Sequence, residues 1–485
     1  MSHASVGVAR GILRNAGALF LVGLFAKGAG LLISVLVARF LGPGAMGLFA
    51  VLFSVSVLIE TFISLGMSNS LVRDVAARPT EAPPVFIAAL KLVAAISILP
   101  TAGLLVAAWV FAHDPVTRDC LMILAFGTPL SGAFIVAQAV LQGTERVLLL
   151  TWVTFAARVL SLLFLVWAFF GGAGLAAAFL SRLLFQVLAL AVFARVILAG
   201  RDVGAAAHST RKLLGRAVPF AVNTAIRELA TRLPALVLPA SVGLAASGVF
   251  DSANRVRSTL GMTMSASITG LMPAFARSAG EAEGAAGRLV GFSLKYMCLG
   301  MALVATGMTV LAGWIVHLLY GEAFAAAVLP LQLLAWAQVL TAMDAVLQQA
   351  MLAREAVAPA IRHSALGVLA QGALLVLLSQ LVGLQGASIA VLLAAAATLA
   401  MDLRHVVARL TPFGAWHFAG APLAASACVA VLILATGRLG LPLQALIALG
   451  SWCAAVALFR VLPLEELRFM RRLVTSARGG SAGKP

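Results

Sequence analysis

Lys27, Lys91, Arg158, Arg182, Arg227, Arg232, Arg255, Arg257 and Lys295 all fall deep inside apolar runs long enough to cross a lipid bilayer. A charge at the bilayer centre costs about 2.5–3.5 kcal/mol even on a lenient insertion scale, so such residues normally face a protein-lined, watery cavity. A cavity lined in this way is cationic and suits an anionic cargo. Two of the segments are the most polar. In 217–240, Asn223 and Arg227 share a face at i, i+4 spacing, and Glu228 and Arg232 share another in the favourable order of acid before base. In 243–272, Asp251, Asn254, Arg255 and Ser258 form a stripe, with Asp251 and Arg255 again at i, i+4, while Arg257 projects away from it. With a rise of about 1.5 Å per residue, Arg227 and Arg255 both come out near mid-bilayer.

These spacings rank the candidates. Arg227 and Arg255 lead as anion-binding residues, followed by Arg158, Arg182, Arg257 and Lys27, with Asn223 and Asn254 beside them. Arg227, Arg257, Arg158, Arg182 and Lys27 have no acid three or four residues away in their own helices, which favours a cavity role. The pairs Glu228–Arg232 and Asp251–Arg255 serve either the cavity or simple neutralisation that lowers the cost of insertion. Lys91 and Lys295 lie within about two turns of cytoplasmic span ends and are expected to snorkel to the headgroups. Glu60 and Asp344 are isolated acids within spans; each either binds a proton or a sodium ion or neutralises an arginine of another helix. With Asp251 and Glu228 they are the carboxylates available for ion coupling.

The elements that must hold these residues follow from composition. With 62% hydrophobic and 11% charged residues and a mean hydropathy of +1.06, a chain of 485 residues has too little interior to hide its apolar surface from water. An all-α polytopic membrane protein is predicted, because the apolar segments are near or above the roughly 20 residues a spanning helix needs and lack the short alternation of a barrel. The spans are read at 15–37, 45–66, 84–110, 121–141, 148–170, 173–198, 217–240, 243–272, 289–318, 327–350, 360–381, 385–401, 416–436 and 442–461. The first has basic residues before it, but it is too long for a secretory signal core and is read as a retained span.

The net charge of +17 and pI near 11.4 reflect topology rather than nucleic-acid binding. With the N-terminus in the cytoplasm, the outer loops hold only Arg39, Arg118 and Arg438, while most other bases sit at cytoplasmic segments and span ends. Both termini are therefore expected inside. Residues 200–216 form the longest polar stretch between spans and read as a cytoplasmic linker. It separates an N-terminal six-span lobe (1–199) from a C-terminal one (217–410), followed by a helix pair (411–461) and a basic cytoplasmic tail (462–485). Across the linker Gly42, Gly47 and Phe49 recur as Gly243, Gly248 and Phe250 at one offset. An offset of six spans preserves orientation, so the lobes are expected to be pseudo-symmetric about an axis along the membrane normal, with a cavity between them. Phosphate-loop and HExxH motifs are absent, the histidines are scattered, and Cys120, Cys298, Cys428 and Cys453 show no CxxC spacing. No cofactor, metal or catalytic residue is expected; any active transport would draw on a proton or sodium gradient, on the membrane potential or on removal of product.

Three stretches carry a family resemblance. Ala38-Arg39-Phe40-Leu41-Gly42-Pro43 with Gly47 is similar to an "ARxLGPxxxG" signature, Gly248-Val249-Phe250-Asp251-Ser252-Ala253-Asn254-Arg255 to "GxYsaAxR", and Tyr320-Gly321-Glu322-Ala323-Phe324 to a "YGxxF" loop. Together they resemble the polysaccharide transporter family, the Wzx-type lipid-linked oligosaccharide flippases of the multidrug/oligosaccharidyl-lipid/polysaccharide exporter superfamily. Where members carry an arginine and an aspartate near the end of the seventh helix, this chain has Arg232-Leu233-Pro234, without the acid. The resemblance implies a bacterial inner-membrane flippase of a polyprenyl-pyrophosphate-linked oligosaccharide working by alternating access, a precursor of a surface glycan such as O-antigen or exopolysaccharide. It also implies contact with membrane lipid and with polysaccharide polymerase and chain-length proteins. An ion-coupled multidrug-type exporter and a non-transporting scaffold are the rival readings.

Overall fold

The computed structural model describes the backbone of residues 3–64, 67–110, 113–199, 210–261, 275, 285–410, 413–436 and 441–459, with side chains from 28, 222, 286 and 443 onward in the first, fourth, sixth and last main segments. Among them are thirteen α-helices and no strand. They are α1 (His3–Ser64), α2 (Met67–Ala77), α3 (Ala82–Val110), α4 (Pro115–Gly143), α5 (Val147–Phe170), α6 (Ala176–Leu198), α7 (Thr210–Val242) and α8 (Leu244–Leu260). Then follow α9 (Ala285–Tyr320), α10 (Val328–Ala353), α11 (Val357–His405), α12 (Ala421–Ala435) and α13 (Leu441–Leu458). The chain is an all-α polytopic membrane protein: nine helical segments among the described residues are long and apolar enough to cross a bilayer. Helix α7 falls outside that group because it carries Arg227, Glu228 and Arg232, and α8 because its 17 residues are too few.

Two long helices each combine two expected spans. In α1 the break is at Gly42, with φ 79° and ψ −176°, and in α11 it is at Gly383, with φ 63° and ψ −136°. The first lies in a backbone region essentially closed to residues with a Cβ. Pro43 then starts the second arm, where its missing N–H costs nothing. The short amphipathic α2 was not expected; Met67, Leu71 and Val75 bury it against a core with Phe86, Val136 and Phe193. At the start of α4, Asp114 caps the helix by accepting from the Thr117 amide at 3.0 Å, and the amide and hydroxyl of Thr117 hold its carboxyl below the usual carboxylate range.

The helices form two compact units. The first comprises Met1–Ser267, Val316–Pro330 and Val357–Ala394. In it α1 packs on α8, α7, α5 and α4. The contact with α8 joins the repeated glycines: a Cβ on Gly47 would stand 1.9 Å from the Leu244 carbonyl oxygen, and one on Gly248 2.2 Å from that of Pro43. Leu244 and Gly248 are Pro43 and Gly47 displaced by the repeat offset, so the contact is reciprocal, as in an isologous interface. Gly243, at φ 88°, repeats the conformation of Gly42. Close backbone approach at small residues is how helices pack where lipid offers no hydrophobic gain.

The second unit comprises Ile268–Ile315, Leu331–Ala356 and Ala395–Pro485. Trp452 donates to the Thr306 hydroxyl at 2.8 Å, tying α13 to α9, and α12 packs on α13. Lys295 corrects an expectation: it does not snorkel but is fully buried at 0% exposure, whereas Lys91 is exposed. Its position on the inner face of α9 prevails over its nearness to the helix end.

Candidate functional site

Within the first unit, Phe53 on α1 gathers arginines from three other helices. The guanidinium of Arg255 lies 4.8 Å from its ring centre, that of Arg182 5.1 Å and that of Arg232 5.5 Å; Arg255 also lies 4.8 Å from Phe49. Each arginine carries a carboxylate. Arg255 donates from Nε to Asp251 at 2.5 Å and Arg232 from Nε to Glu228 at 2.8 Å, the two i, i+4 pairs legible in the sequence. Arg182 pairs with Glu60, one helix to another, finding across the bundle the acid it lacks along α6. Of the two fates open to Glu60, neutralisation of an arginine is the one seen. The side chains of Asp251 and Arg255 are only 9% and 12% exposed, so their pair is poorly screened, while Glu228 and Arg232 at 29% and 26% reach more solvent.

Beside Glu60 and Arg182 opens a small cleft lined also by Ser56, Thr128, Ser131 and Gln186, where Gln186 donates to Ser131 at 2.7 Å. It leaves about 10 Å³ for the centres of water-sized molecules, room for a water but not for a phosphate. Arg158 lies one helix over, its guanidinium 3.6 Å above the Phe185 ring and its Nε buried without a hydrogen-bond partner.

The remaining candidates are scattered. Asn223 is buried and accepts from Ser364 at 3.2 Å, which ties α7 to α11. Arg227, one turn along, is half-buried, and from α7 it is Arg232 whose guanidinium lies against Phe53. Arg257 does not project away from the polar stripe of α8: its Nε donates to Asn254 at 3.0 Å and it is 8% exposed, because an i, i+3 partner on the same face draws the long side chain back. Asp344 lies buried in the second unit, one turn before Gln348, whose amide donates to the fully buried Asp402 at 2.5 Å. Lys27 lies outside the described side chains. The sequence reading passed over Phe53 and Asp402, and took Phe49 as a mark of the repeat but not as a site residue. Two phenylalanines among 26 in apolar segments carry no signal of their own; the i, i+4 step from Phe49 to Phe53 and the seven-residue step on to Glu60 put all three on one face of α1.

The three signature stretches meet at one end of the same unit. Arg39 donates from Nε to the Leu319 carbonyl at 2.8 Å and from Nη2 to that of Leu318, satisfying the last open carbonyls of α9. The Tyr320 hydroxyl lies 3.4 Å from that of Ser34, and the turn Glu322–Ala327 packs on both α1 and α8.

The fold is similar to those of several solved transporters. It matches "Lipid II flippase MurJ, inward closed conformation" with a TM-score of 0.70 and 12% identity over 91% of this chain and 98% of that one. It also matches inward- and outward-facing conformations of a multidrug resistance MATE family transporter of the MOP superfamily. Their TM-scores are 0.65 and 0.61, with 18% and 17% identity, over 79% and 81% of this chain and 93% of each of those. At these identities the likeness is one of fold. No curated protein sequence matches. The model of the polysaccharide biosynthesis protein family matches residues 12–279, more than half of the sequence and the whole stretch that builds the Phe53 cluster. This chain belongs to that family.

Proposed function

We propose that the protein is a flippase that moves a polyprenyl-pyrophosphate-linked oligosaccharide across the bacterial inner membrane. The observation that carries this reading is the cluster on Phe53, where Arg182, Arg232 and Arg255 bring three guanidiniums from three helices to one ring. Guanidinium forks match phosphate oxygens bidentately and bind them most strongly where water is scarce. The carboxylates of Glu60, Glu228 and Asp251 hold the arginines in place while no cargo is bound and accept from sugar hydroxyls when it is. Family membership and a fold shared with a lipid II flippase support a lipid-linked cargo.

In this reading lobes 1–199 and 217–410 move against each other and expose the cluster alternately to the two sides, with both termini in the cytoplasm; most of the linker 200–216 lies outside the described residues. Arg227, Arg257, Arg158, Asn223 and Asn254 take supporting positions. Coupling to a proton or sodium gradient, where it operates, falls to Glu60, Asp344, Asp251 or Glu228. The pyrophosphate is the part of the cargo that the cluster grips, and the lipid tail stays in the bilayer.

The test removes both charges of one pair, so that no uncompensated ion is left to unfold the protein. Asp251→Asn with Arg255→Gln should slow the flipping of a labelled lipid-linked oligosaccharide in proteoliposomes about tenfold or more, since a hydrogen bond to a charged group is worth about 1.5–3 kcal/mol. Unchanged flipping in the double variant refutes the site. A parent protein that moves no lipid-linked sugar but exports cationic drugs supports the multidrug reading instead.

A further inference from the structure

Arg158 lacks the carboxylate partner that Arg182, Arg232 and Arg255 each hold. Its Nε is buried without a hydrogen-bond partner, and its visible support is the ring of Phe185. Phe185 follows Arg182 by three residues on α6, so the guanidinium stacked on it sits about one helical turn from Arg182. Arg182 in turn is bonded by the carboxylate of Glu60 on α1. Arg182 also presents a buried Nη1 with no partner and lies against Phe53 beside Arg232 and Arg255.

We propose that Glu60 is a shared carboxylate: when a phosphate takes up the Arg182 guanidinium at Phe53, Glu60 passes to Arg158, which lies about one helical turn from Arg182. Arg158 is then a positioning residue that acts through Glu60 and never touches the cargo. The physical reason is the cost of stranding a carboxylate in a low-dielectric interior, which dominates the breaking of any buried ion pair. A second guanidinium within reach removes that cost and lets Arg182 move. Only hydrogen bonds and ion pairs are exchanged. The trigger rests on the phosphate-binding reading above; the exchange itself does not.

Two measurements on the full chain in detergent separate these halves. Arg182→Gln leaves Glu60 to Arg158, and Arg158→Gln leaves it to Arg182, so each variant should melt within roughly 2 °C of the parent. The Arg158→Gln, Arg182→Gln double variant strands Glu60 and should lose roughly 5 °C or more, and adding Glu60→Gln should restore it. If Arg182→Gln alone falls as far as the double variant, the exchange is overturned. In the second measurement, Arg158→Gln should weaken binding of geranyl pyrophosphate about tenfold, while in a Glu60→Gln background the same change should cost nothing. A residue that contacted phosphate directly would still cost tenfold there, and that outcome ends the positioning role. The expected melting pattern in a protein that binds no geranyl pyrophosphate keeps the exchange and sinks the cargo reading alone.

Discussion

Three guanidiniums around one phenyl ring make position 53 sensitive to aromaticity and not only to size. A cation over a ring is worth about 0.5–2 kcal/mol, depending on how far water is excluded, and Phe53 serves three of them. Phe53→Tyr should therefore melt close to the parent. Phe53→Leu, of similar bulk, should lower the Tm by roughly 3–6 °C, followed by thermal unfolding in detergent. If packing alone mattered, leucine would be nearly neutral. The pairs Glu228–Arg232 and Asp251–Arg255 were legible in the sequence, because i, i+4 spacing determines their meeting. Glu60 and Arg182 were visible as misplaced charges but not as partners, since they are 122 residues apart and only the packing of α1 on its neighbours joins them. Lys295 misled for a related reason: distance from a helix end says how far a side chain must reach for water, not whether a neighbouring helix blocks the way.

At the level of elements, the crossing of α1 and α8 is governed by what the repeated glycines lack. Gly47→Ala and Gly248→Ala would each drive a methyl group to about 2 Å from a backbone oxygen, so the helices must separate. Both variants should cost on the order of several kcal/mol and lose most folded protein in fluorescence-detected size-exclusion chromatography. Gly44→Ala is the control: nothing lies within 4 Å of its added methyl, and a helical Gly→Ala change is neutral or stabilising by about 0.5–1 kcal/mol. The repeat offset was readable from three residues, and the reciprocity of the contact gives those matches a common physical cause. The amphipathic α2 was not readable, because a short helix that carries Arg73 and Asp74 resembles a polar loop to any test keyed to apolar length.

For the whole molecule, the order of helices was legible because hydrocarbon demands long apolar runs, and α7 and α8 were legible because they break that demand. Orientation is the remaining whole-chain expectation, and the loops flanking α5 test it. In a background without the four native cysteines, Ala173→Cys should react with a membrane-impermeant maleimide added outside intact cells, and Thr144→Cys only after permeabilisation. The reverse pattern would invert the chain. Arg39 bears on the molecule in another way. By closing off the carbonyls at the end of α9 beside the turn at Tyr320, it joins segments that are 280 residues apart in the chain. The signature by which such chains are recognised is to this extent a joint in the scaffolding, indifferent to what passes through. A search keyed to it sorts sequences by how they are assembled; if the Phe53 cluster is the cargo site proposed above, differences in cargo are to be sought at positions 53, 182, 232 and 255 instead.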